Sequence, residues 1–212
     1  GVLGAREYYH LKPDDTVAFR GLGAALAGAL PLMAALYPDY RAFTSWAFGL
    51  VLGTVLLVLA LSLWSRWPDG HPMDAASRTI MGALYTGGAL SFWVLLRALP
   101  DQVSNEATAI HGAALLIFPI WVTWLGDTFA YGCGSRWGRT KLIEAVSPNK
   151  TIVGSIGGLV GSVLAGGIFA WLWLSGVPEF GLSWQVGAAL SVPIAVVGQV
   201  GDLAESVLKR DA

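Results

Sequence analysis

Three short runs in this 212-residue chain hold side chains that could do chemistry, and each adjoins a long apolar stretch. The first is Gly126-Asp127-Thr128-Phe129-Ala130-Tyr131-Gly132, where Asp127 and Tyr131 are one helical turn apart and share a face. The second is Ser147-Pro148-Asn149-Lys150-Thr151. Pro148 ends any helix before it, and Thr151 suits the N-cap of the Gly-rich helix that follows. The free N–H groups behind such a cap favour an anion, so a lysine and a hydroxyl there suit a phosphate. An ordinary cap in a basic loop is the plainer reading. The third run is Gly201-Asp202-Leu203-Ala204-Glu205-Ser206-Val207-Leu208-Lys209-Arg210. On a helix Asp202, Glu205, Ser206 and Lys209 fall at i, i+3, i+4 and i+7, giving one face hard oxygen ligands and a cation. Oxygen donors suit Mg²⁺, which takes one or two protein carboxylates and leaves other positions to water and phosphates. A solvated Glu205–Lys209 pair is the alternative.

The elements that must position these residues are membrane helices. Only 13% of the chain is charged and 55% is hydrophobic, with mean hydropathy +0.60, whereas a soluble domain carries about 25% charge. A helix crossing about 30 Å of hydrocarbon needs roughly 20 apolar residues. Six stretches qualify: 17–37, 42–64, 77–99, 108–131, 152–175 and 182–203. Runs such as Gly49–Leu63 are apolar all round, which favours helices over alternating barrel strands. The fold class is therefore all-α, a polytopic integral membrane bundle of about six transmembrane helices, read as one domain over 1–212. In the fifth stretch Gly154, Gly158, Ser162 and Gly166 recur every fourth position, as close helix packing allows.

Eleven of the thirteen Lys and Arg residues fall in segments that share one side, which predicts both chain ends in the cytoplasm. Asp127 and Asp202 lie toward the cytoplasmic ends of their spans, where an ionisable group is a functional candidate by default. The net charge of −1 offers no general attraction to nucleic acid. A single cysteine, Cys133, excludes an internal disulfide framework. No Walker or dinucleotide-binding glycine pattern occurs, and His10, His71 and His111 assemble no catalytic triad.

At these residues the chain resembles the phosphatidate cytidylyltransferase family, the bacterial CDP-diacylglycerol synthases. The matching runs come in family order: Arg6-Glu7-Tyr8-Tyr9, then the runs around Asp127, Lys150 and Asp202. Two departures stand out. Asn149 precedes Lys150, and Ile152-Val153-Gly154 follow Thr151 where the family has Thr-Trp-Glu-Gly. The family signature begun at Ser206 continues past Ala212 to a further metal-binding carboxylate, and the chain starts at Gly1 without Met. The chain is therefore expected to be a piece of a longer protein, catalytically incomplete as it stands.

The resemblance implies an enzyme that joins CTP to phosphatidic acid, giving CDP-diacylglycerol and pyrophosphate at the cytoplasmic face of a bacterial inner membrane. It implies Mg²⁺ as cofactor, with a second cation left open. Asp202, Asp127 and Glu205 are the expected metal ligands, and Asp202, Lys209 and Arg210 the expected catalytic residues. Asp127, Tyr131, Ser147, Lys150, Thr151 and Ser206 are expected to bind substrate. The partners are CTP, phosphatidic acid and the bilayer, with no nucleic acid; a homodimer is left open. Two alternatives remain: a cytidylyltransferase for another lipid phosphate such as an archaeol phosphate, and an ion-coupled transporter. A transporter predicts acids at mid-membrane and an inverted repeat; here the acids sit at one interface.

Overall fold

The computed structural model of the chain describes residues 1–10, 19–67, 70–103, 109–176 and 182–211. Lys12, Asp14 and Asp15 lie outside the described residues, as do the side chains of Lys209 and Arg210. Five helical stretches are long and apolar enough to cross a membrane: Tyr40–Ser65, Pro72–Gln102, Ile110–Trp137, Ile152–Leu174 and Trp184–Leu208. They coincide with five of the expected spans. The other expected span contains the apolar helix Arg20–Leu36, whose 17 residues rise about 26 Å and fall short of the ~30 Å hydrocarbon layer. The aromatic side chains Trp46, Trp64, Trp67, Trp171 and Trp184 are all exposed near span ends, as residues of an interfacial belt are.

Packing divides the chain into two compact units, Gly1–Leu99 and Pro100–Ala212. In the first, α1 (Val2–His10) and α2 (Arg20–Leu36) precede α3 (Tyr40–Arg66). Asp39 caps α3 by accepting from the Ala42 N–H at 2.8 Å. Next, α4 (Pro72–Ala83) passes through a π-helical turn, Leu84–Gly88, into α5 (Ala89–Val103). The expected third span is thus one longer rod with a wide turn inside it. Close approach explains the glycine there: a Cβ on Gly87 would run into the backbone of Ala27 on α2.

The core of this unit gathers Ala5, Tyr9, Leu26, Ala27, Leu30, Ala34 and Phe43. Tyr9 is its largest fully buried side chain, and its hydroxyl donates to Thr79 O at 2.6 Å. Burial first, and the neighbouring Tyr8 second, push the Tyr9 phenol up to about 12. The unfolded phenol ionises near its ordinary value of about 10. Between these values the folded state keeps a proton that the unfolded state has lost, so stability falls as pH rises from about 10 to about 12. Tyr9→Phe is expected to remove that fall and to lose about 1 kcal/mol at neutral pH; thermal unfolding in detergent across pH checks both.

The second unit holds α6 (Ala109–Trp137), a hairpin, α7 (Ile152–Phe169) and α8 (Trp184–Asp211). The hairpin pairs β1 (Lys141–Ile143) antiparallel with β2 (Ser147–Thr151), in register Lys141↔Thr151 and Ile143↔Ser147. Pro148 is tolerated because a two-stranded ribbon has edges where its missing N–H costs nothing. A second π-helical turn, Ala170–Leu174, ends α7.

Helix α7 lies against both α6 and α8. The expected small-residue stripe is its inner face: Gly154, Gly158, Ser162 and Gly166 are all buried. Ile156, Val160, Leu164 and Ile168 occupy an exposed face. Bulk toward lipid and small residues toward protein is the arrangement that membrane packing favours, since tails are as apolar as leucine.

Candidate active site

The site is built where α6, α7 and α8 converge. A cavity of about 150 Å³ is lined by Thr123, Gly126, Asp127 and Ala130 of α6, Gly158 and Ser162 of α7, and Ala195, Gly198, Gln199 and Asp202 of α8. Small residues make it. A Cβ at Gly158 would stand 3.0 Å from Ala130 Cβ and 3.1 Å from Gly126 O, so only glycine there lets α7 approach α6. Two hydrogen bonds tie the walls together. Ser162 Oγ donates to Val122 O of α6 at 3.0 Å, and Gln199 Nε2 donates to Ser155 O of α7 at 3.1 Å.

Lys150, in β2 of the hairpin, does not itself line this cavity but pairs with Asp202, which does. The next residue, Thr151, is the N-cap of α7, and its Oγ1 accepts from the Gly154 N–H at 3.1 Å. The capping expectation holds, and it fixes the direction from which Lys150 approaches. Lys150 Nζ lies 2.5 Å from Asp202 Oδ2. Asp127 interacts electrostatically with both Asp202 and Lys150. Residues 75 positions apart in sequence, Asp127 and Asp202, thus share one cavity, and a lysine pairs with the second of them.

Other expected residues sit further out. Glu205 lies on α8 past Asp202 and is exposed, outside the cavity lining. Among the described residues no group of three or more His, Cys, Asp and Glu gathers at a metal-holding distance. The structure brings Asp127 and Asp202 together and does not bring Glu205 with them. Tyr131 is 79% exposed and does not line the cavity. Ser147 begins β2, half-buried. Ser206 Oγ donates to Asp202 O at 2.9 Å within its own helix. Lys209 and Arg210 continue α8, with side chains outside the described residues.

Sequence reasoning missed Gln199, Thr123 and Ser162. Gln199 had a legible signal: it is three residues before Asp202, on the same helix face, and is a polar group inside an apolar span.

Two carboxylates and a lysine thus gather at one end of a three-helix cleft in a helical membrane protein. The donor set also fits Mg²⁺, since that ion needs few protein carboxylates and takes its remaining ligands from water and phosphate.

The chain belongs to the cytidylyltransferase family, whose model matches residues 1–212. It is 36% identical to a phosphatidate cytidylyltransferase of Staphylococcus haemolyticus, over 99% of this chain and 72% of that protein. It is 29% identical to one from Synechocystis sp., over 99% of this chain and 73% of the relative. For one from Chlamydia muridarum the figures are 29% identity, 94% of this chain and 64% of the relative. The chain therefore spans roughly two thirds to three quarters of the length of these relatives.

Proposed function

We propose that this chain carries the cytidylyl-transfer site of a phosphatidate cytidylyltransferase, which makes CDP-diacylglycerol and pyrophosphate from CTP and phosphatidic acid. The observation that carries this reading is the meeting of Asp127 and Asp202 at one cavity, with Lys150 paired to Asp202, in a member of the cytidylyltransferase family. A transporter reading finds less support, because the acids and lysine cluster at one end of the helices. Nothing in the apolar spans separates acyl from ether tails, so the phosphatidate reading rests on the named relatives.

The chemistry is a displacement at phosphorus. A phosphate oxygen of phosphatidic acid forms a bond to the α-phosphorus of CTP, and the bond from that phosphorus to the β-phosphate's bridging oxygen breaks. Positioning and charge neutralisation govern such transfers. Lys150 holds phosphate oxygens with an ammonium whose three donors can serve a phosphate and Asp202 together. Thr151 fixes Lys150 by capping α7. Asp127 and Asp202 would hold Mg²⁺, which when bound neutralises charge on phosphate oxygens.

Both substrates are anionic, one in the bilayer and one in water, so their meeting place is a membrane surface. The hairpin with Lys141 and Lys150, and Arg136 at the end of α6, gather at the same end of the unit as the acids. With the basic-residue bias, this supports a cytoplasmic site in the inner membrane of a bacterium.

The test uses the protein that contains this chain at full length, in membranes, with CTP and phosphatidate. One CDP-lipid is expected per pyrophosphate; absence of CDP-lipid overturns the reading. Chelation with EDTA is expected to abolish turnover and Mg²⁺ to restore it. Full turnover in EDTA would remove the metal from the account.

A further inference from the structure

The cavity has a size and a lining that Asp127 and Asp202 alone do not account for. It extends inward from Asp127 to Thr123, four residues or about 6 Å along α6. It also reaches Ala195, well before Asp202 on α8. A volume of about 150 Å³ matches that of a cavity known to accept a single six-membered ring. Gly126, Ala130, Gly158, Gly198 and Ala195 leave the walls smooth enough for a flat one.

The polar groups inside offer mainly hydrogen-bond acceptors to a ligand, the carboxylates of Asp127 and Asp202 among them. Thr123 Oγ1 donates to Pro119 O at 2.9 Å and Ile120 O at 3.0 Å. Ser162 Oγ donates to Val122 O at 3.0 Å. Both hydroxyl protons are therefore committed to backbone, and only lone pairs remain. Gln199 Nε2 gives one of its two N–H groups to Ser155 O. Its partner is a carbonyl, so the nitrogen must face it, and Oε1 remains as the acceptor. A ring that suits this lining presents an N–H donor.

We propose that this cavity is the subsite for the cytosine ring of the nucleotide, with Gln199 the residue that selects cytosine over uracil. The inference rests on the function proposed above and extends it to substrate choice. Cytosine carries an exocyclic amino donor at C4, where uracil carries a carbonyl acceptor. Against Gln199 Oε1 and the two hydroxyl oxygens the amino group is satisfied. A carbonyl there would set its lone pairs against those of the hydroxyls and carboxylates, offset by the second N–H of Gln199. Sites built to bond a particular polar group reject the analogue lacking it far more strongly than apolar pockets do. The ribose would lead from the ring to the mouth, placing the phosphates beside Lys150, Asp127 and Asp202.

The test compares CTP and UTP as donors, in the full-length protein, for wild type, Gln199→Met and Thr123→Val. Methionine keeps the bulk of the side chain and removes the amide. Valine keeps the shape of threonine, whose hydroxyl bonds only within its own helix. Wild type is expected to prefer CTP by about 10³-fold or more in kcat/KM. Gln199→Met should shrink that ratio by about 10- to 100-fold, and Thr123→Val by a smaller factor, with KM for phosphatidate unchanged. The ratio is the informative readout, because a loosened α7–α8 contact would slow both nucleotides alike. A wild type that prefers CTP, with both variants keeping its ratio, overturns the subsite. If KM for phosphatidate rises in its place, the cavity holds the lipid headgroup. A wild type that makes no CDP-lipid from CTP fails differently and overturns the function itself.

Discussion

Asp202→Asn should yield a folded, membrane-inserted protein whose turnover falls by about 10²- to 10³-fold or more, the scale lost when a charge-stabilising group is removed from a reacting centre. The substitution keeps the size and helical position of the side chain and removes only its charge. That charge has two uses at the cavity. It pairs with Lys150 Nζ at 2.5 Å, and with Asp127 it forms the carboxylate set proposed for Mg²⁺. The side chain is 57% exposed, so little folding energy depends on it and the thermal transition should stay close to that of wild type. Lys150→Met is the informative companion. It removes the pairing partner and leaves both carboxylates, so a loss of about 10- to 100-fold, mostly in KM for CTP, is expected. Steady-state kinetics on both variants separates the roles. Equal losses in kcat alone would make Lys150 merely a positioning group for Asp202, and full activity in Asp202→Asn would remove the carboxylate from the mechanism.

The opposite behaviour is expected of Gly166→Leu, which should fail at folding, with any surviving protein retaining its chemistry. Gly166 lies on the inner face of α7 away from the cavity lining. A Cβ there would meet Ser191 Cβ at 2.9 Å and the backbone oxygen Gly187 O at 3.0 Å, both on α8, and would overlap Ser191 Oγ. A backbone atom cannot step aside as a side-chain tip can, so leucine must push α7 and α8 apart. Overpacking in tight contacts costs about 1–3 kcal/mol and occasionally more. Here it also takes away the close backbone approach on which membrane helices depend. A large drop in thermal stability, or loss of monodisperse protein in detergent, is the expected result. Leu164→Val, on the exposed face of α7, should be close to neutral in the same assay. A stable Gly166→Leu protein would mean that the α7–α8 contact is looser than described.

These two residues mark what the amino-acid order makes legible and what it does not. Spans announce themselves because a bilayer demands about 20 apolar residues. Acids within those spans stand out because they are costly there. Asp127, Lys150 and Asp202 could each be named from their neighbours, and so could the glycine stripe of α7 and the Thr151 cap. Their meeting could not, because it depends on how α6, the hairpin and α8 pack around α7. The π-helical turns at Leu84–Gly88 and Ala170–Leu174 leave hydropathy unchanged and so give no signal in composition. The hairpin was hidden because Ser147-Pro148-Asn149-Lys150-Thr151 reads as a loop, with a proline that most strands refuse. Tyr131 and Glu205 show the limit of face arguments. Each lies one turn or less from an acid at the cavity, yet neither lines it. Gln199 shows the reverse, a residue with no motif around it that becomes interesting only when its amide is found tied to α7 at the cavity wall.

On this reading cytidylyl transfer takes place at the cleft between α6, α7 and α8. Label transfer tests it most directly. CTP carrying phosphorus label at the α position is incubated with phosphatidate, Mg²⁺ and the full-length protein, as wild type, Asp127→Asn and Asp202→Asn. Wild type is expected to move the label into a lipid-extractable CDP product, with unlabelled pyrophosphate released in equal amount, while both variants remain folded and transfer almost none. Label that stays in the aqueous nucleotide with wild type, or that reaches lipid as fast in the two variants, would contradict it.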